Sequence, residues 1–155
     1  MFQQLTPEQI EAVLAHQIVG RIGCHADGKT YVVPISYAYD GEYIYAHTIE
    51  GLKVHMMRKN PNVCFQVDNM ADMANWQSVI TWGEYEELTE EEERKKALQI
   101  LMGRSLPLIS SETTHLSNNW PFPPDDVNQI PGITFRIRLH EKTGRSESYT
   151  ASFPR

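Results

Sequence analysis

The sequence predicts a mainly β protein, a six-stranded antiparallel barrel with flanking helices, and three observations carry that prediction. Six short segments are rich in Val, Ile, Tyr and Phe, often alternating with polar residues as half-buried strands do. Asp27-Gly28 and Asp40-Gly41 are hairpin turns that join the first three segments into a meander. The regular strand–helix alternation that builds a parallel sheet is missing, and no G-x-G-x-x-G fingerprint occurs.

The strands are bounded by turn or breaker residues. Pro34 lies inside the second strand, and because proline cannot donate to a β ladder it marks an edge or an interruption. We expect a loop over 70–75 and a tail after Gly144 that either frays or packs on a partner. The predicted strands are 18–26, 30–39, 43–47, 62–68, 76–88 and 132–140.

Three helices are predicted. The first begins with the capping box Thr6-Pro7-Glu8-Gln9 and ends near His16. The second covers about 51–59. The third is acidic, starts with a capping box at Thr89 and reaches Gly103, and its charges are those of a solvated face.

The stretch 105–131 is predicted to be irregular, because five prolines prevent regular structure. A segment this long inside a compact domain is either functional or disordered. Its aromatic pair, Trp120 and Phe122, favours a segment that docks on the protein.

Composition indicates one globular domain over residues 1–155, with 41% hydrophobic and 22% charged residues. The net charge of −6 and the lack of a basic stripe argue against nucleic-acid binding. No apolar run approaches the ~18 residues of a membrane span, and the first residues do not form a leader. Cys24 and Cys64 lack metal or redox spacing, so we expect buried free thiols and a cytoplasmic protein.

The strongest functional signal is the stretch 44–53. A short apolar strand leads into His47 and Thr48, turns at Gly51, and starts a helix with Lys53 in its first turn. Free N–H groups at a helix start favour an anion, whereas a lysine there opposes the helix dipole and therefore serves another purpose. These residues predict a bound phosphate and hence a phosphorylated cofactor.

Side-chain catalysts are scarce. The histidines fall on separate elements without ligand spacing, so no metal site is expected, and no catalytic triad or carboxylate pair stands out. A cofactor would therefore carry the chemistry. Trp76 and Ser78 share one strand face, where they either bind a ligand or simply pack the barrel, and Arg21 is either an exposed strand residue or an interface cation.

Eight segments follow one another in a characteristic order. They are Gly20-Arg21-Ile22-Gly23, Tyr31-Val32-Val33-Pro34-Ile35-Ser36-Tyr37, Tyr39-Asp40-Gly41, Ile44-Tyr45-Ala46-His47-Thr48, Gly51-Leu52-Lys53, Asn60-Pro61-x-Val63-Cys64-Phe65, Trp76-x-Ser78-Val79 with Gly83, and Glu141-Lys142-Thr143-Gly144-Arg145. This order, over most of residues 6–145, resembles the FMN-binding split-barrel proteins related to pyridoxamine 5′-phosphate oxidase. Within them it is similar to the flavin-nucleotide-binding, nitroimidazole-resistance-type branch.

The resemblance implies a six-stranded split barrel that forms a homodimer with two FMN molecules at the subunit interface. The isoalloxazine ring would be contacted by Val33, Pro34, Ile35 and Ser36, and the phosphate would be held by His47, Thr48 and Lys53, beside Gly51. The fifth strand would reach the flavin with Gln77 and Ser78, and the irregular segment would cover it with Trp120.

The sequence also departs from the family pattern. Thr48 keeps the hydroxyl of a common serine, but Leu52 and Gln77 stand where basic residues are frequent, so phosphate binding would depend more on the helix dipole. The C-terminal Arg-x-His-type signature of the true oxidase is missing, so vitamin B6 oxidation is not expected.

The resemblance therefore implies an FMN-dependent oxidoreductase, either a flavin reductase or nitroreductase-like. It would move electrons from NADH or NADPH to a small nitroaromatic or quinone-like acceptor, with His47 as the one candidate catalytic side chain. Three alternatives stay open: a non-catalytic flavin-binding or sensing module, a haem-binding split barrel, and a purely structural dimer.

Overall fold

One antiparallel sheet organises the protein. The structure is a computed structural model and describes residues 1–104 and 130–151. The strands are β1 (Phe2–Gln4), β2 (Val19–Ala26), β3 (Lys29–Ser36), β4 (Ala38–Tyr39), β5 (Tyr43–Thr48), β6 (Asn62–Asp72), β7 (Asn75–Glu87) and β8 (Ile133–Glu147). The helices are α1 (Pro7–His16), α2 (Leu52–Lys59) and α3 (Glu91–Met102).

The described residues form eight strands, where the sequence predicts six. The stretch 30–39 divides because Tyr37 leaves the ladder, and its hydroxyl donates to the Leu14 carbonyl oxygen at 2.6 Å in the core. The strand Phe2–Gln4 is added because it pairs with residues 145–147 of β8. Its three residues are all exposed and show no apolar alternation, so no local pattern marks it as a strand.

Two other boundaries differ from the prediction. Strands β6 and β7 run through most of the expected loop over 70–75 and leave a tight turn in which the Asp72 carboxylate accepts from the Ala74 N–H. The expected tail after Gly144 continues β8 to Glu147, between β7 and β1. Helix α3 is capped by Glu90 instead of Thr89, because the Glu90 carboxylate accepts from two N–H groups of the first turn.

Several local predictions are confirmed. The capping box of Thr6 and Gln9 starts α1, and Asp27-Gly28 forms the β2–β3 turn with positive φ at both residues. Pro34 lies in β3, which is an edge strand as proline requires.

The strand order is β3-β2-β6-β7-β8-β5-β4, with β1 attached to β8. The two ends of this order come together, since β3 contacts β5 although no ladder joins them. The sheet thus curls into a barrel that is split between β3 and β5. One hydrophobic cluster fills it with side chains of α1, β2, β6 and β7, and a second, smaller cluster lies under α3.

Candidate functional site

His47 and Thr48 end β5, and the strand pleat turns their side chains to opposite faces. On this strand, Ile44 and Ala46 point into the barrel, whereas Tyr45 packs in the cluster under α3. His47 therefore shares the α3 side with Tyr45, and Thr48 belongs to the barrel side. Both are buried, at 9% and 1% exposure, so these neighbours reach a common ligand only at the strand end.

The His47 ring is fixed by the chain that leads into β8. Its Nε2 lies 2.6 Å from the Pro131 carbonyl oxygen, which can only accept, so this nitrogen carries the proton. Gly132 has a φ of +97°, and a Cβ there would lie 2.9 Å from His47 Nε2. Across the ladder, the buried Thr134 hydroxyl has no hydrogen-bond partner among the described residues. His47 thus uses Nε2 to hold local structure.

The N-terminus of α2 has no side-chain cap. Gly51 is the N-cap in an extended conformation, and within residues 1–104 and 130–151 no side chain caps the first turn. Among the described residues, a Cβ added to Gly51 would meet only the Ile49 carbonyl oxygen, at 4.0 Å, so their packing does not require glycine here. The neighbouring Glu50 carboxylate is paired with Arg58 and His55. The uncapped N–H groups are therefore suited to an anion.

Lys53 lies in the first turn of α2, as predicted. Its side chain is partly buried, and burial lowers the pKa of its ammonium group. Cys24, on β2, is close enough to affect that pKa, but no carboxylate pairs with Lys53 among the described residues. A partly desolvated cation without a counter-ion is the chemistry that a phosphate group neutralises.

The predicted ring-binding segment, Val33–Ser36, forms the C-terminal half of the edge strand β3, beside the split. The Ser36 hydroxyl accepts a 2.7 Å hydrogen bond from Nη1 of Arg104, just beyond α3. Burial lowers the pKa of this guanidinium to about 10. No pattern in the sequence distinguishes Arg104, because a basic residue after a helix end is common.

Gln77 and Ser78 lie elsewhere on the sheet. Ser78 is on β7, where its hydroxyl accepts from the Gln66 side chain at 3.0 Å. Between Ser78 and Pro34 lie β2 and β6, joined by the contacts of Arg21 with Gln66 and Asp68. Three strand spacings of about 4.8 Å separate β3 from β7, or roughly 14 Å across the sheet. One chain therefore does not bring Ser78 next to Val33–Ser36.

Two hollows adjoin the sheet within the part of the chain that the structure describes. A groove of about 420 Å³ crosses β3, β2, β6 and β7 and is lined by Val32, Cys64 and Trp82, with none of the predicted site residues. A smaller one of about 230 Å³ includes Trp76 and Gln77. The Trp76 indole N–H donates to Glu147 at 3.0 Å, so this side chain has a structural contact of its own.

The remaining observations concern Trp120, metal sites and membrane-spanning helices. Trp120 lies outside the described residues, as does most of the stretch 105–131. Within residues 1–104 and 130–151 no group of His, Cys, Asp or Glu side chains could hold a metal ion. In the same part of the chain, none of the helices has the length and apolar character to span a membrane.

Comparison with known proteins gives one family match. A family model described as pyridoxamine 5′-phosphate oxidase matches residues 6–146. The crystal structure of a FAD-binding protein from Mesorhizobium loti is 32% identical, with a TM-score of 0.73 and coverage of 96% of this chain and 99% of that one.

Two more distant structures share the fold. A candidate 5-nitroimidazole antibiotic resistance protein from Bacteroides thetaiotaomicron is 19% identical, with a TM-score of 0.69 over 94% of this chain and 87% of its own. A FAD- and haem-binding protein from Mycobacterium smegmatis is 9% identical, with a TM-score of 0.70 over 97% and 76%.

Proposed function

Since the chain belongs to the pyridoxamine 5′-phosphate oxidase family, we propose that it is a flavoprotein that binds FMN at the split between β3 and β5. The observation that carries the proposal is Lys53. It is a partly buried cation in the first turn of a helix without a side-chain cap, and no carboxylate pairs with it in the described chain. A phosphate there would gain the ammonium group, the helix N–H groups and the dipole together.

The described residues could bind both the phosphate and the ring of such a ligand. Thr48 ends β5 at the helix start and offers a hydroxyl, while Gly51 leaves space for close approach. Val33–Ser36 would offer backbone groups at a sheet edge to the ring. Arg58 pairs with Glu50, which precedes Gly51 in the chain, so this carboxylate would repel a phosphate less.

The proposed activity is electron transfer. When bound, a flavin supplies the ability to accept electrons from NADH or NADPH and to pass them to a small nitroaromatic or quinone-like acceptor. The chain would bind and orient it and keep water out. Nε2 of His47 donates to the Pro131 carbonyl oxygen, so a proton-transfer role for that nitrogen would require this bond to break.

We also propose a homodimer. Gln77 and Ser78 lie roughly 14 Å across the sheet from β3, so they would contact a flavin held by the partner copy. The outer face between these places carries the groove and the exposed apolar side chains of Val19, Val32 and Ile80. A second copy would cover this apolar surface.

The first experiment is a titration of the purified, flavin-free protein with FMN, FAD and riboflavin. We expect bound FMN to shift the flavin absorbance and to raise the melting temperature, and FMN to bind more tightly than riboflavin. FAD is included because the Mesorhizobium loti relative is described as FAD-binding. Absence of binding by all three would refute the proposal.

A second experiment separates the activities. Mixing the FMN complex with NADH or NADPH in a stopped-flow instrument should bleach the flavin absorbance. Binding without reduction would favour the flavin-storing or sensing module, and a Soret band in the purified protein would favour haem.

The dimer is tested by analytical ultracentrifugation. We expect wild-type dimers and weakened association in Val32→Glu, because Val32 is 63% exposed on the proposed interface. Met73→Glu is the matched control, since Met73 is exposed in the β6–β7 turn. A monomeric wild-type protein would refute the dimer.

A further inference from the structure

Arg104 connects the end of α3 to the edge strand β3. Helix α3 packs on β5 and β8 and ends at Met102, with Gly103 as its C-cap. The Nε of Arg104 donates to the Leu101 carbonyl oxygen at 3.0 Å, and Nη1 donates to the Ser36 hydroxyl at 2.7 Å. The guanidinium group therefore lies beside the last residue of the proposed ring-binding segment.

This guanidinium group has no counter-ion in the described part of the chain. Its two hydrogen-bond acceptors are neutral, and burial alone lowers its pKa. Arg136 provides a contrast: it is also partly buried but pairs with Glu86, at 2.7 Å, and with Glu93. A buried cation without an anion is costly, and it is retained where a ligand supplies the missing charge.

Helix capping accounts for only part of this arrangement. The bond from Nε to the Leu101 carbonyl oxygen is a normal way to satisfy a helix C-terminus. It uses one of the five N–H donors of the guanidinium, and the Ser36 bond uses a second. The other three have no acceptor among the described residues, and all of them belong to a planar group beside the split.

We propose that Arg104 is a flavin-ring ligand that donates hydrogen bonds to the carbonyl-bearing edge of the isoalloxazine. This inference rests on the proposed flavin site, in which Ser36 lies at the ring end and Lys53 at the phosphate end. The two partly buried cations then have separate partners: Lys53 binds the phosphate and Arg104 binds the ring.

A guanidinium group at this edge would also affect the reduction potential of the ring. A ring that gains two electrons and one proton carries one negative charge, which lies along this same edge. A guanidinium group there stabilises the reduced ring more than the neutral oxidised ring. Removing the charge should therefore weaken binding of the reduced flavin more than binding of the oxidised flavin.

The test compares Arg104→Gln, Arg104→Lys and the control Arg138→Gln. The control removes the same charge from an exposed residue that pairs with Glu84 and Glu86. Dissociation constants for oxidised FMN and riboflavin come from flavin fluorescence. Midpoint potentials come from dithionite titration with a reference dye, and circular dichroism checks the folding of each variant.

We expect Arg104→Gln to raise the dissociation constants of riboflavin and FMN by the same factor, about tenfold for the loss of one charge-assisted hydrogen bond. A further tenfold loss for reduced over oxidised FMN would lower the midpoint potential by about 30 mV. Arg104→Lys should have a midpoint potential close to that of the wild type, because it keeps the charge. Arg138→Gln should match the wild type in flavin affinity and midpoint potential.

Four outcomes would overturn the inference. The first is a folded Arg104→Gln with wild-type flavin affinity and midpoint potential. The second is a loss of FMN affinity with unchanged riboflavin affinity, which would assign Arg104 to the phosphate. The third applies if Arg104→Gln misfolds and is an Arg104→Lys variant that loses its fold and flavin affinity to the same extent, and the fourth is wild-type protein that binds no flavin. Only the last also refutes the proposed function, so the two failures are distinguishable.

Discussion

Replacing Lys53 with methionine should weaken FMN binding and at the same time stabilise the ligand-free protein. Lys53 is partly buried, its pKa is lowered by burial, and no carboxylate of the described residues pairs with it. Methionine keeps a similar length and removes the charge that the fold must desolvate. The side chain that binds the phosphate is therefore a cost to the empty protein.

The size of the binding effect follows from the type of contact. A hydrogen bond from an ammonium group to phosphate is worth about 1.5–3 kcal/mol, so the FMN dissociation constant should rise roughly 10- to 150-fold. Riboflavin lacks the phosphate, and its affinity should not change. Fluorescence titration of both ligands measures the ratio directly.

The stability effect has a defined pH dependence. The pKa of Lys53 is lower in the folded protein than the 10.5 of the unfolded chain. The unfolded chain then binds more protons between these two values, so wild-type stability rises with pH through the folded pKa and up to 10.5. The stability advantage of Lys53→Met should be full at neutral pH and should shrink as the pH approaches 10.5.

The matched control is Lys59→Met. Lys59 lies in the last turn of the same helix, is exposed, and pairs with Asp27 at 2.6 Å, so the variant removes an equal charge far from the N-terminus. We expect little change in FMN affinity. Equal effects of the two variants on FMN, or a loss of riboflavin affinity in Lys53→Met, would refute the phosphate role.

Three further predictions test other parts of the structure. Gly51→Ala should leave the melting temperature unchanged but weaken FMN binding, because among the described residues its Cβ would meet only a carbonyl oxygen, at 4.0 Å, and it would lie where the phosphate approaches. Gly83→Ala should instead lower the melting temperature, because its Cβ would lie 2.4 Å from a main-chain oxygen. Tyr37→Phe should cost about 1–2 kcal/mol in the free energy of unfolding, measured in urea, because it leaves a buried carbonyl unpaired. Burial raises the pKa of Glu11, but its hydrogen bonds with Lys142 and Tyr39 outweigh burial, so the pKa in the folded protein is below 4.5. Stability should therefore fall as the pH drops from 4.5 through the folded pKa. Glu11→Gln should reduce this dependence of the melting temperature on acid pH.

Each of these has a clear contrary result. Unchanged FMN affinity in Gly51→Ala would place the phosphate away from α2. A Tyr37→Phe protein as stable as the wild type would mean that the hydroxyl bond contributes nothing net. Parallel acid slopes for wild type and Glu11→Gln would assign the acid sensitivity to other carboxylates.

Local signals predicted most of the regular structure because they depend on neighbouring residues alone. The capping box at Thr6 and the Asp27-Gly28 turn were predicted because each completes its hydrogen bonds or its positive φ within four residues. Strand β1 was missed because its pairing partner is residues 145–147, and its own three residues are exposed. The cap at Glu90 was missed because threonine is a preferred N-cap residue and glutamate is not, so the local pattern favours Thr89.

The candidate site likewise has features that local sequence predicts and features that only the tertiary structure shows. Lys53 in the first turn of α2 follows from the order of a strand, a glycine and a helix. The strand pleat alone turns His47 and Thr48 to opposite faces, but the tertiary structure decides which hydrophobic cluster each face meets. Arg104 had no signal, since its importance comes from a contact with Ser36, 68 positions away.

The sequence by itself determined the β class, the main turns, the helix starts and the phosphate-like pattern, because these follow from periodicity and from hydrogen bonds between near neighbours. Only the tertiary structure decided which strands form the edges of the split, which side chains share a face there, and which cations lie partly buried with no counter-ion among the described residues. Those properties depend on desolvation and on pairing between distant segments, and both exist only once the sheet has curled on itself.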